Sequence, residues 1–170
     1  MLRILRTTLR TGVITEPVSV VDDELVRLGI KVKQVLDARF GGSLALREVD
    51  AGSCNGCELE IHALNNPYYD AERFGVHFVA SPRHADALLV TGPVSRHMAA
   101  ALQRTYQATP APKLVIAAGT CACDGGEFGV TYASCGAVAN VIPVDVSIPG
   151  CPPTPLALLK GILAAVNRRS

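Results

Sequence analysis

The sequence predicts an α/β fold: a flavodoxin-like, doubly wound and mostly parallel sheet behind an N-terminal helical extension. Three observations carry this reading. The strand candidates are short and nearly all apolar, as in Ala87–Thr91 and Lys113–Ala118, which is the pattern of strands covered by helices on both faces. They alternate with segments of helical period, the order expected of βαβ units. The chain has 170 residues, enough for one domain with a substantial core, and no internal repeat interrupts it.

Met1–Ser19 has no firm period. Leu2, Ile4, Leu5 and Leu9 alternate with Arg3, Arg6 and Arg10, which suits either a loosely ordered terminus or docking to a partner or an anionic surface. Asp22 or Asp23 can cap a helix that carries Leu25, Leu28, Val32, Val35 and Leu36 on one face, and Gly41-Gly42 ends it. Residues 1–43 are thus read as the extension and residues 44–170 as the α/β domain. Strands are expected at Leu44–Val49, Val76–Ala80, Ala87–Thr91, Lys113–Ala118 and Val141–Val146. Helices are expected at Glu58–Leu64, Ser95–Tyr106 and Leu156–Asn167. Asn65-Asn66-Pro67 stops the first of these helices, because proline disfavours helical geometry in the residue before it. Pro155 suits the first turn of the last.

Composition narrows the class. Apolar residues make up 49% of the chain, yet no run approaches the ~18 consecutive apolar residues of a membrane span. A net charge of +1 is no general nucleic-acid signature, so no nucleic acid is expected as a partner. The apolar stretch in Met1–Arg10 is too broken for a secretory signal, and no small-residue cleavage site follows. Six cysteines without an export signal suggest a reducing compartment, and ligands rather than disulfides.

The cysteines carry the chemistry. Cys54-Asn55-Gly56-Cys57 is a close pair; Gly119-Thr120-Cys121 and Pro149-Gly150-Cys151-Pro152-Pro153 each add one more. All four lie beyond the carboxyl ends of expected strands, the edge where open α/β sheets bind ligands. Four thiolates from three loops are what an iron–sulfur cluster needs. Structural zinc is the alternative, although zinc sites more often use two close pairs. Gly56, Gly119 and Gly150 let backbone N–H groups approach a bulky anionic group. Cys123 lies on the same loop as Cys121 and could in principle replace it. Cys135, in a stretch of small residues, reads as a buried side chain, and a Cys123–Cys135 disulfide does not suit a reducing compartment. Gly125-Gly126 permits a tight turn; no strand–Gly-rich–helix unit makes it a phosphate loop. His62, His77 and His97 have no ligand-like spacing. Tyr68-Tyr69 reads as an interface or packing element.

Four stretches, Asp50–Asn66, Ser81–Gly92, Gly119–Gly126 and Pro143–Pro153, run in family order over residues 44–165. On these the chain resembles the cluster-carrying small subunits of membrane-bound, energy-converting nickel–iron hydrogenases of the hydrogenase-4 and formate hydrogenlyase type. These are homologous to the 20 kDa subunit of respiratory complex I. The resemblance implies one 4Fe-4S cluster held by Cys54, Cys57, Cys121 and Cys151, with Cys121 preferred over Cys123. It implies a nickel–iron large subunit, a ferredoxin-like or polyferredoxin subunit and membrane-arm subunits as partners. The expected location is peripheral, on the cytoplasmic face of the membrane. The expected role is electron transfer in proton reduction or hydrogen oxidation. The complex I subunit has adjacent cysteines where this chain has Cys54 and Cys57, which favours the hydrogenase branch. A complex I-like subunit passing electrons to quinone, or a related complex without hydrogenase activity, is the alternative.

Glu58 and Glu60 follow the close pair. The resemblance makes Glu58 the better candidate for a proton relay beside a cluster; the alternative is a solvated glutamate in the first turn of a helix, favoured by the helix dipole. Arg83 and His84 could donate hydrogen bonds to the cluster or a partner, or serve only as a loop.

Overall fold

A computed structural model describes residues 2–12 and 23–168. Five strands, β1 (Leu44–Asp50), β2 (Val76–Phe78), β3 (Ala87–Thr91), β4 (Leu114–Ala118) and β5 (Val146–Ile148), form one sheet in the order β2-β1-β3-β4-β5. Every pairing is parallel, so the expected flavodoxin-like, doubly wound α/β sheet is what forms. The helices are α1 (Leu2–Thr11), α2 (Asp23–Arg39), α3 (Gly56–Ala63), α4 (Arg96–Ala108), α5 (Thr120–Asp124) and α6 (Pro155–Arg168).

Alternation along the strands divides the core into two. Leu44 and Leu46 of β1, Leu89 of β3, and Leu114 and Ile116 of β4 pack with apolar residues of α2, α3 and α6. Val49, Leu88, Val90, Val115 and Ala117 point the other way, to Leu102 of α4, Val138 and Ile142. Helix α2 presents Leu25, Leu28, Val32 and Leu36 to the first of these cores. Its last turn is tied to the end of α6, where the Arg39 guanidinium donates to the carbonyls of Val166 and Asn167 at 3.3 and 3.1 Å. Helix α4 starts at a Ser95 cap, whose hydroxyl accepts from Met98 N–H at 3.3 Å. Lys113 satisfies carbonyls at its other end, those of Tyr106 and, at 2.8 Å, Thr109.

Three expectations change. The last strand is Val146–Ile148 rather than Val141–Val146. Pro143 has no N–H for a ladder. Ile142 N–H closes a turn onto Val138 O instead, and Val141, Ile142 and Val144 pack in the α4-side core. The N-terminal segment is helical over Leu2–Thr11, with no buried residue. Its apparent alternation is two helical stripes interleaved in sequence: Leu2, Leu5 and Leu9, and, one residue on, Arg3, Arg6 and Arg10. The strand expected at Val76–Ala80 ends at Phe78, although Val79 N–H still donates to Leu46 O. Asp22, one of the two expected caps, lies outside the described residues.

Candidate metal centre

In the strand order β2-β1-β3 the chain runs outward from β1 to β2 and then returns to β3 on the other side of β1. This reversal is where such sheets bind ligands. The strands end flush there: Asp50 pairs with Thr91, Thr91 with Ala118 and Ala118 with Ile148. The loops after β1, β4 and β5 therefore leave from a common line.

Local hydrogen bonds set each loop. The Asp50 carboxylate accepts from Gly52 N–H and Ser53 N–H at 2.8 and 2.7 Å. Asn55, at φ 70°, turns the chain into α3, which leaves Cys54 on the loop and Cys57 in the first turn of the helix. The β4 and β5 loops are laced together. Gly119 N–H donates to Ile148 O and Thr120 N–H to Gly150 O, both at 2.8 Å, and Gly150 N–H donates to the Thr120 hydroxyl at 3.3 Å. Cys121 and Cys151 are thereby brought to one place.

Cys54, Cys57, Cys121 and Cys151 all line one cavity of about 170 Å³, walled on its apolar side by Pro93, Phe128 and Pro152. All four thiols are free. Among the described residues no three His, Cys, Asp or Glu side chains are grouped to share a single ion. Four thiols facing one cavity are a donor set that would fit a metal–sulfur group.

Two glycines are needed for the sulfurs to sit as they do. Gly119, at φ +93°, faces Cys57 so closely that a Cβ would lie 2.6 Å from its Sγ; a Cβ on Gly126, at φ +52°, would lie 2.9 Å from Cys121 Sγ. Any other residue would be strained at such φ and would push a sulfur away. Electrostatics favour a cationic group. Burial, then the charge of Glu58, then Cys54, Cys121 and Cys151 push the Cys57 thiol up to about 11. Burial and the neighbouring Cys151 and Cys54 push Cys121 up as well. Cys57 is thus a neutral thiol near pH 7, and a positive centre beside it would draw off the proton.

The other cysteines face elsewhere. Cys123 packs on the α4-side core, its sulfur 3.7 Å from Ala117 O, and burial raises its thiol. Cys135 packs against the same core. Arg83 and His84 sit on a 3-10 turn, Pro82–His84, packed near α4, and neither lines the cysteine cavity. Tyr69 packs on the core while Tyr68 stays exposed, their rings edge to face at 4.9 Å.

Glu58 is 6% exposed, and neither carboxylate oxygen has a hydrogen-bond partner. The solvated first-turn glutamate is thus ruled out: α3 lies on the sheet and turns this position inward. Glu60 stays partly exposed. Glu48, which sequence reasoning passed over, is raised above its ordinary value by burial and by the charge of Glu58, against the opposing effects of His62 and Arg47. Glu48, His62 and Arg47 line a second cavity of about 280 Å³ beside α3. A carboxylate among apolar strand residues, on the face that α3 covers, was the available signal. Thr91, at the flush edge, is fully buried with no partner for its hydroxyl.

The sequence profile of the NADH ubiquinone oxidoreductase 20 kDa subunit family matches residues 54–165, from the first cavity cysteine into α6. The chain belongs to this family. Among its relatives is formate hydrogenlyase subunit 7 of Escherichia coli, 45% identical over 151 residues, which are 89% of this chain and 58% of that protein. A probable membrane-bound hydrogenase subunit of Pyrococcus furiosus is 50% identical over 129 residues, 76% of this chain and 77% of that one. An NADH-quinone oxidoreductase subunit of Desulfovibrio desulfuricans is 47% identical over 107 residues, 63% of this chain and 58% of that one. The chain therefore spans little more than half the length of two of these relatives. Among solved structures, a chain of the membrane-bound sulfane sulfur reductase, an archaeal respiratory membrane complex, superposes with a TM-score of 0.65 at 32% identity, over 86% of this chain and 78% of that one. A chain of an NAD+-reducing nickel–iron hydrogenase shares the fold, with a TM-score of 0.54 at 18% identity over 72% of this chain and 92% of that one. Members of the family serve as subunits of oxidoreductase complexes, and no described helix of this chain is long and apolar enough to cross a membrane.

Proposed function

We propose that Cys54, Cys57, Cys121 and Cys151 hold one 4Fe-4S cluster, and that the protein is the electron-transfer subunit beside the nickel–iron centre of a membrane-bound hydrogenase complex. The observation that carries this is the meeting of four thiols from three loops on one cavity at the strand ends. The formate hydrogenlyase and membrane-bound hydrogenase relatives support the hydrogen-metabolism reading. The proposed partners are a large subunit carrying nickel and iron, a ferredoxin-like or polyferredoxin subunit, and membrane-arm subunits, with the chain peripheral on the cytoplasmic face. When bound, such a cluster takes up and passes on one electron at a time. The residues of this chain hold and tune it. Gly119 and Gly126 let the sulfurs close in. Pro93, Phe128 and Pro152 give it an apolar wall, and the potential would depend on how far that wall excludes water in the complex.

The protein purified without oxygen should contain about four irons and four acid-labile sulfides. Serine at Cys54, Cys57, Cys121 or Cys151 should each abolish the reduced-cluster EPR signal, while Cys123→Ser and Cys135→Ser keep it. Bound zinc without sulfide, or a signal kept by Cys121→Ser and lost in Cys123→Ser, would overturn the assignment. The NADH-quinone oxidoreductase relative favours a second reading, electron delivery to quinone. Nickel in the co-purified large subunit separates the two, since the quinone reading requires none.

Glu58 is the proposed proton carrier, because its buried carboxylate lies one residue beyond a ligand and has no other partner. In the complex, Glu58→Gln should leave iron and sulfide content unchanged and lower hydrogen turnover by about 10²-fold, the scale of lost acid–base help. Wild-type turnover with full cluster content would move the relay to the partner.

A further inference from the structure

We propose that α1 is an interfacial helix that lies along an anionic lipid surface. At 3.6 residues per turn, Leu2, Leu5 and Leu9 fall on one stripe about 60° wide, and Arg3, Arg6 and Arg10 on a second stripe beside it. The leucines are exposed, Leu2 at 86% and Leu9 at 83%, as is Ile4 at 72%. No residue of α1 is buried and none is acidic. A ten-residue helix is marginal in water by itself, so its apolar stripe calls for a surface. The neighbouring cations require that surface to be negative.

The threonines decide between a lipid layer and a protein groove. The Thr7 hydroxyl donates to Arg3 O at 2.9 Å, Thr8 to Ile4 O at 3.0 Å and Thr11 to Thr7 O at 2.7 Å. Their donors are thus used within the helix. What remains to offer outward is undirected apolar area and three long, flexible cations. That matches a fluid headgroup layer, where leucines enter the acyl boundary and arginines reach back to phosphate, better than a groove that reads directional hydrogen bonds. The helix is about 15 Å long against a hydrocarbon core of about 30 Å, so it lies in the surface plane. One such element gives reversible attachment that supplements docking to other subunits. Lipid contact by α1 is independent of what the cysteines hold.

The test uses the full chain and two vesicle types, phosphatidylcholine alone and phosphatidylcholine with phosphatidylglycerol. The chain has no tryptophan, so Leu5→Trp introduces a single reporter, with flotation of the parent chain as the reporter-free control. Flotation and a blue shift of emission are expected with the anionic vesicles only, and both should weaken as salt rises. Arg3→Gln, Arg6→Gln and Arg10→Gln together should weaken binding by about 10²-fold, each cation adding roughly fivefold near such a surface. Leu2→Ser with Leu9→Ser should abolish flotation. All variants should keep the parent melting temperature, since α1 buries nothing. No flotation with anionic vesicles, equal binding to both vesicle types, or a triple-glutamine variant that binds like the parent would each overturn the proposal. So would capture of α1 by an acidic protein in the absence of vesicle binding.

Discussion

At the residue scale, Glu48 shows how a strand side chain answers to the helix above it. Its carboxyl is raised above 4.5 by burial and by Glu58, so the folded state holds its proton more tightly than the unfolded chain does. The stability tied to this group is therefore full below about pH 4.5 and is lost as pH rises through the raised value. Glu48→Gln removes the effect. Its urea midpoint should match wild type below pH 4.5, exceed it increasingly above, and level off once Glu48 is ionised in the folded protein. Parallel midpoints from pH 4 to pH 8 would show that Glu48 ionises freely. The four cysteines were legible in the sequence because their local spacing and flanking glycines are a chemical pattern in themselves. The burial of Glu58 was not, because it depends on how α3 lies against the sheet, and an eight-residue helix with little amphipathic contrast does not declare its inward face.

At the scale of elements, legibility followed the strength of the local pattern. β3 was placed at its observed bounds, Ala87–Thr91, because five consecutive buried positions admit no other face pattern. The helices expected at Ser95–Tyr106 and Leu156–Asn167 form within two residues of those bounds, the second with Pro155 in its first turn as expected. β5 failed because apolar residues at Val141, Ile142 and Val144 serve a packed turn as well as they serve a strand, and only Pro143 hinted at the difference. The single-turn helix α5 was missed altogether. It exists because Gly119 and Gly125, both at positive φ, bracket five residues. α1 was obscured because its two stripes are offset by one residue, which mimics a period of two.

For the whole molecule, the segment that follows α5 is exposed and yet fixed. The Arg96 guanidinium donates to Thr131 O at 3.2 and 3.0 Å, and Asn140 donates to Cys135 O at 2.7 Å. Bridges join Ser95 to Ser134 and Val130 to Cys135. On this brace Val130 is 69% and Tyr132 95% exposed, next to Phe128 at the cysteine cavity. Apolar side chains carried on a braced backbone and left in water would suit a surface covered in the complex proposed above. Val130→Ser with Tyr132→Ser should make the isolated chain more monodisperse in light scattering, leave its melting temperature unchanged, and reduce recovery of partner subunits on co-purification. A doubly substituted chain that aggregates like wild type would place the sticky surface elsewhere.

The flush ends of β1, β3, β4 and β5 also set a timetable. The cavity is incomplete until β5 has paired with β4, because Gly150, Cys151 and Pro152 of its lining arrive only with the turn after β5. Cys54 and Cys57 are made nearly a hundred residues ahead of Cys151. A group held by all four thiols can therefore be held only once the last strand is in place.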